Sequence, residues 1–212
     1  MFILGALLLA IVNADWVEPW FCHGLNCPKY TNPQNLSIDR QTVEIRIYES
    51  ALWASTVIAN TDLEDAENIG FQRDFDYIDG NNSAQEEIPM TSPVSNWVQP
   101  AQGPYCTTNF TVSFYVPYAM QPPNPGPPKP TESDVTIKTF PSMTFGVLAF
   151  DGFGEQNTVI AEAAELSKLL SQSGYAYDTV NWWYAGYDPP FRVTGRHNEV
   201  WIQIYNYTSK YY

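Results

Sequence analysis

Few side chains of this chain have the type and spacing that enzymatic chemistry needs. Neither His23 nor His197 has a sequence-local serine or cysteine partner that suggests a catalytic triad. Glu162 and Glu165 lie three residues apart on a predicted helix, where a solvated face explains them better than an acid–base pair. No G-x-S-x-G elbow, phosphate-binding loop, H-E-x-x-H motif or dinucleotide fingerprint occurs. The sequence therefore favours a binding protein over an enzyme.

The cysteines predict oxidation rather than metal binding. Cys22, His23 and Cys27 do not have the spacing of common zinc sites. Three cysteines, the third being Cys106, allow at most one internal disulfide and leave one thiol. A Cys22–Cys27 bridge closes a short local loop, whereas a bridge to Cys106 ties the early chain to the main domain. The sequence does not choose between these pairings.

The first residues predict export. Residues 1–14 are apolar apart from Asn13 and end in a small-residue cleavage pattern, which is typical of a signal peptide and too short for a membrane span. No later segment is apolar enough to span a bilayer. We expect a secreted glycoprotein, with candidate N-x-S/T acceptors at Asn35, Asn81, Asn109 and Asn206.

The length, charge and composition of the chain limit the classes of partner that it is expected to bind. A chain of 212 residues that is 44% hydrophobic suits one domain with a proper core. The formal net charge of −13 argues against nucleic acid or an anionic membrane, since both normally need a clustered basic face. Aromatic residues make up 15% of the chain, more than one core of this size needs. The surplus favours a cleft that holds a flat apolar ligand by stacking and burial.

Hydrophobic periodicity predicts an α+β fold of two similar strand–strand–helix–strand–strand halves. In the first half, a capping-box pattern at Thr61 and Glu64 starts a helix to about Ile78. In the second half, Asn157 or Thr158 caps a helix to about Ser173, stopped by Gly174. The predicted strands cover 43–48, 52–59, 110–116, 135–140, 144–149, 179–187 and 198–207, with two short extended segments around Pro93. A cysteine-containing lead segment (residues 15–40) precedes the main domain (41–207), and a short tail (208–212) follows it.

Four sequence segments carry a family resemblance. They are YIDGNN (77–82), IPMTSPV (88–94), FTVSFYVP (110–117) and the run from AGYDPPF to RHNEVW (185–201). In this order the chain resembles the SOUL/haem-binding protein family over roughly residues 41–205. The resemblance implies a distorted antiparallel β-barrel flanked by two long helices, and it implies binding of haem or another porphyrin without covalent attachment.

The same resemblance implies a site. An apolar groove along the first helix corresponds to Phe71 and Phe75, and Arg192 matches a basic position that could meet a propionate. The strand position where some members carry an axial histidine is Ile47 here, so His197 is the remaining candidate ligand for iron. We expect a secreted tetrapyrrole carrier without turnover that binds by apolar burial. The alternative is a secreted structural or protein-interaction module of the same fold that binds no haem.

Overall fold

The computed structural model describes residues 16–59, 61–100, 108–205 and 207. The predicted signal peptide (1–14), Cys106, Asn206 and the predicted tail (208–212) lie outside the described residues. The strands are β1 (Tyr30–Ile38), β2 (Gln41–Tyr48), β3 (Ala51–Ala59), β4 (Val94–Gln99), β5 (Asn109–Tyr115), β6 (Val135–Phe140), β7 (Met143–Phe150), β8 (Ala176–Tyr177), β9 (Trp182–Gly186) and β10 (Asn198–Tyr205). The two α-helices are α1 (Leu63–Ile78) and α2 (Gln156–Ser173).

All ten strands belong to one antiparallel sheet. Its order is β1-β2-β7-β10-β9-β4-β5-β3-β6, with β8 paired to β10. No hydrogen-bonded pairing joins β1 to β6 in the described chain, so the sheet is curled but not closed. The predicted α+β class and the two flanking helices are confirmed, and the barrel is an open one.

Strand β1 was not predicted, and it lies inside the expected lead segment. Its sequence holds Pro33 and three polar amides, which mask the alternation expected of a strand. Proline is tolerated there because β1 is at the edge of the sheet and pairs only with β2. Strand β9 begins later than predicted because the Asp178 carboxylate accepts the backbone N–H groups of Val180 and Asn181 and forms a turn.

Both helices begin differently from the sequence prediction. Asp62, not Thr61, caps α1, and its carboxylate accepts the N–H of Asp65 at 2.9 Å. Helix α2 begins one residue before Asn157 and has no side-chain cap. The side-chain oxygen of Gln156 instead accepts the N–H of Leu63 at 2.9 Å, which joins the starts of the two helices. Gly174 ends α2 with a φ of 78°, as predicted.

The two faces of the sheet carry different cores. One face packs against the helices and is aliphatic, with Ile45, Val200 and Ile202 meeting Leu166 and Leu170. The other face is aromatic and is covered in part by the lead segment. Its members are Phe21, Cys22, Cys27, Tyr48, Phe145, Val147, Trp183, Ala185, Tyr187 and Trp201. Within the described chain, no helix is both long and apolar enough to cross a membrane.

Gly70 lies where α1 packs closely against the sheet. A Cβ atom at Gly70 would lie 2.3 Å from the Cγ2 atom of buried Val112 on β5. Gly→Ala normally stabilises a helix by about 1 kcal/mol, but overpacking costs about 1–3 kcal/mol. We expect Gly70→Ala to lower the free energy of unfolding, measured in urea, and Val112→Ala to suppress that effect in the double variant. Stabilisation by Gly70→Ala alone would contradict this packing.

Candidate functional site

Phe71 and Phe75 form an exposed aromatic pair on α1. Their rings stack with centroids 5.8 Å apart and planes 12° apart, as residues one helical turn apart can do. The side chains remain 40% and 37% exposed, although Phe71 also contacts the Phe114 ring edge-to-face at 5.2 Å. The predicted pair therefore lies together on the surface. The two rings form an apolar platform, which is a ring surface that the protein core does not cover.

The buried face of α1 includes neither Phe71 nor Phe75. It consists of Leu63, Ala66, Gly70, Asp74, Tyr77 and Ile78. Phe71 and Phe75 therefore lie beside this face rather than within it. The Tyr77 hydroxyl donates to the carbonyl of Pro128 at 2.8 Å, so the proline-rich loop helps to fix the C-terminal half of α1.

Two acidic residues of α1 were not predicted as part of a site. Asp74 is fully buried, and within the described chain neither of its carboxylate oxygens has a hydrogen-bond partner. Burial raises the pKa of Asp74 to about 9, against a smaller lowering by Arg73 and Lys138. Burial also raises the pKa of Glu67 to about 8, although Asn96 donates to it at 3.0 Å. The available signal was the seven-residue spacing, which places both acids on the Gly70 side of the helix.

Arg192 lies in the Pro-Pro loop (residues 187–197), between β9 and β10. Its Nε atom is 3.1 Å from the buried carboxylate of Asp188, which also accepts the backbone N–H of His197. His23 of the lead segment reaches the same carboxylate with its Nε2 atom at 2.8 Å. The Arg192 side chain is 40% exposed, so its guanidinium is held by Asp188 on one side and open to solvent on the other.

Arg196 was not predicted, yet it organises the Pro-Pro loop. Its guanidinium donates to the carbonyls of Gly152, Asp188, Pro189 and Arg192. The arginine is only 7% exposed. The Arg196 side chain therefore fixes the conformation of the Pro-Pro loop, which the two prolines already restrict.

His197 lies at the edge of a buried charged cluster. Its Nε2 atom is 2.8 Å from Oε1 of Glu199, and the ring of Phe21 stacks on it at 4.1 Å. Glu199 is fully buried and forms a two-pronged ion pair with Arg46, whose Nη1 and Nη2 donate at 3.0 and 2.9 Å. Tyr187 and Trp201 each donate a further bond of 2.8 Å to Glu199. Burial alone would raise the pKa of Glu199, but Arg46 and His197 lower it to about 2.

The structure thus places the predicted site residues in two regions. In the described chain, no hydrogen bond, ion pair or ring contact joins Arg192 or His197 to the pair Phe71 and Phe75. No cluster of three or more His, Cys, Asp or Glu side chains could hold a metal ion among the described residues. Ile47, at the strand position discussed above, is half-buried in β2.

The lead segment contains the disulfide left open by the sequence. Cys22 and Cys27 are bonded to each other, and both are buried against the aromatic face of the sheet. Three candidate glycosylation sites fall within the described chain, and Asn35, Asn81 and Asn109 are all exposed. The geometry leaves each of them accessible to modification.

Comparisons with known proteins agree with the sequence resemblance. The family model described as "SOUL heme-binding protein" matches residues 25–203. Heme-binding protein 2 of Mus musculus is 34% identical over 178 residues, covering 84% of this chain and 85% of that protein. Heme-binding protein 1 of Xenopus tropicalis is 31% identical over 164 residues, covering 77% of this chain and 84% of that protein.

Solved structures show the same fold at much lower identity. The C-terminal domain of EcmrR has a TM-score of 0.57 at 9% identity, covering 77% of this chain and 96% of that chain. An uncharacterised conserved protein of Listeria innocua also has a TM-score of 0.57, at 10% identity, covering 77% of this chain and 92% of that chain. These likenesses concern the fold alone. The matches along the chain itself show that it belongs to the SOUL heme-binding protein family.

Proposed function

We propose that this protein binds haem or a related porphyrin on α1, as a secreted carrier without turnover. The observation that carries the proposal is the exposed, stacked pair of Phe71 and Phe75. Stacked phenylalanines that remain over a third exposed can bury a flat apolar ring and gain the free energy of that burial. The names of the relatives, Heme-binding protein 1 and 2, support the same ligand class.

The residues present fit the porphyrin plane better than they fit iron. No histidine lies on α1, and Ile47 occupies the strand position discussed above. When bound, haem would supply a redox-active iron, whereas the phenylalanine pair would supply only apolar contact. We therefore expect iron-free protoporphyrin and hemin to bind with similar affinity.

Export of the protein is supported by chemistry in the lead segment and on the surface. A Cys22–Cys27 disulfide persists in oxidising compartments and is rare in reducing ones. The exposed sequon asparagines are compatible with glycosylation in the secretory pathway. Both features accord with a signal peptide at residues 1–14.

Titration of the purified protein with hemin and with protoporphyrin IX tests the proposal, followed by quenching of tryptophan fluorescence. We expect the Phe71→Ala/Phe75→Ala variant to bind both ligands about tenfold more weakly, because the loss of two aromatic contacts removes most of the apolar platform. Ile160→Ala is the matched control, since it removes an exposed apolar side chain from α2 instead.

Three results would contradict this function. Unchanged porphyrin affinity in the double variant would move the site away from α1. A sharp low-spin hemin spectrum that disappears in His197→Ala would show iron ligation instead of apolar burial. Failure of the wild-type protein to bind either porphyrin would favour a SOUL-fold interaction module.

A further inference from the structure

The Pro-Pro loop and the lead segment carry the most exposed apolar side chains of the described chain. Phe191 is 84% exposed, Val193 is 71% exposed and Trp20 is 68% exposed. Among the large apolar side chains of the described residues, only Val17, in the same lead segment, is exposed to a similar extent. Apolar side chains that are exposed singly need no explanation, but a concentration of them marks an interaction surface. Trp20, Phe191 and Val193 form what is called here the apolar tip.

The two segments of the apolar tip are held side by side. His23 bonds through its Nε2 atom to the Asp188 carboxylate at 2.8 Å, and its Nδ1 atom is 3.5 Å from Nη1 of Arg192. The ring of Trp20 meets the ring of His197 edge-to-face at 5.6 Å. The lead segment therefore lies against the Pro-Pro loop, and the tip is one surface built from two parts of the chain.

The backbone beneath the apolar tip has a fixed conformation. Arg196 donates to the carbonyls of Asp188, Pro189 and Arg192 within the Pro-Pro loop. The Cys22–Cys27 disulfide closes the lead segment next to Trp20. A surface that is already ordered loses little conformational freedom when it binds, so more of the free energy of apolar burial is available for affinity.

The shape of the apolar tip favours a lipid surface over a protein pocket. Each of its three side chains is less than one-third covered by the rest of the chain, so the side chains project outward and do not line a groove. A protein partner would need a matching pocket for each projection. The interfacial region of a bilayer accepts apolar side chains without a preformed pocket, and tryptophan is enriched at that depth.

The charges around the apolar tip select the kind of lipid. The Pro-Pro loop contains two arginines and one aspartate, so its formal charge is +1 in a chain of −13. An anionic bilayer would repel the rest of such a chain. A phosphocholine head group instead has an outer ammonium group and a deeper phosphate. Exposed Asp151 and half-exposed Glu18 flank the tip and suit the ammonium group, and the 40% exposed guanidinium of Arg192 suits the phosphate.

We propose that the apolar tip docks this protein on the surface of a zwitterionic phosphocholine bilayer. Phe191 and Val193 enter the interfacial region of the bilayer, Trp20 lies at the level of the head groups, and Arg192 donates to a lipid phosphate. In the described chain, no ring contact, hydrogen bond or ion pair joins the tip to the pair Phe71 and Phe75. Docking therefore does not depend on porphyrin binding.

Flotation of the purified full chain with phosphatidylcholine vesicles tests the proposal, and the partition coefficient is the quantity measured. We expect Phe191→Ala/Val193→Ala to lower the partition coefficient at least about tenfold, because both side chains that enter the bilayer are lost. The variant should fold normally, since its side chains touch little of their own chain, and urea unfolding checks this. Phe71→Ala/Phe75→Ala is the matched control, because it removes exposed apolar rings from α1 instead and should leave the partition coefficient unchanged.

A second lipid mixture tests the charge argument. Replacing part of the phosphatidylcholine with phosphatidylserine should weaken binding at low salt, since the chain is strongly acidic. Stronger binding to the phosphatidylserine mixture would overturn the assignment to a zwitterionic surface. Binding that Phe191→Ala/Val193→Ala does not reduce would place the lipid contact elsewhere and overturn the role of the tip. No flotation of the wild-type chain with phosphatidylcholine would also overturn the proposal, and the tip would then be a contact for another protein.

Discussion

Replacing Arg46 with methionine should destabilise the protein by about 3–5 kcal/mol, because it leaves the fully buried carboxylate of Glu199 without its counter-charge. Tyr187, His197 and Trp201 would still hydrogen-bond to that carboxylate, but only the guanidinium neutralises it directly on two oxygens. The loss is measured as the free energy of unfolding in urea at neutral pH. Arg40→Met, at an exposed arginine in the turn after β1, is the matched control.

The pH dependence of this loss identifies its cause. The pKa of Glu199 is lowered to about 2 in the fold, so its contribution is present above an unfolded value of about 4.5 and is lost as pH falls toward 2. Without Arg46 the carboxyl is protonated more easily. The deficit of Arg46→Met should therefore shrink as pH falls below about 4. A deficit that is the same at acid and neutral pH would assign it to lost packing against Tyr30 and Phe21 instead.

The strands and helices that could be predicted from the sequence are those with a regular hydrophobic periodicity. The alternation of Val43, Ile45 and Ile47 placed β2, and the three- and four-residue spacing of leucines placed α2. Strand β1 was missed because an edge strand needs no such alternation. The openness of the sheet depends on which edges pair, and this is a property of long-range register that no local pattern contains.

The candidate site was predictable in its surface residues and not in its buried charges. Phe71 and Phe75 were identified through the resemblance, and the structure places them together. The Arg46–Glu199 pair joins residues 153 positions apart, so no local spacing could reveal it. Arg46 and Glu199 also lie in strands next to hydrophobic residues, where an alternating pattern predicts that the charged residue is exposed. Buried charges of this kind become visible only when the sheet brings their partners together.

Asp74→Asn should change the free energy of unfolding in a pH-dependent way. At neutral pH the change should be more favourable, by several kcal/mol, than the change at pH 4. The pKa of Asp74 is about 9 in the fold against 3.8 for the unperturbed group, so the folded state binds a proton that the unfolded chain releases. Stability from this group is full below about pH 4 and falls by about 1.4 kcal/mol per pH unit until the folded pKa is reached. Between pH 4 and pH 7 that amounts to about 4 kcal/mol. Asparagine has nearly the same shape and does not titrate.

Unfolding of wild type and Asp74→Asn in urea at pH 4, 5.5, 7 and 8 measures this difference. Glu67, with its pKa of about 8, contributes a similar slope that survives in the single variant and should disappear in Asp74→Asn/Glu67→Gln. Asp76→Asn makes the same chemical change two residues away at a half-exposed position and is the matched control. If Asp74→Asn parallels wild type at every pH, the Asp74 carboxylate is solvated in the folded protein. The buried face of α1 would then be wetter than its packing around Gly70 indicates, because an ionised carboxylate is not retained in a dry helix–sheet interface without a partner.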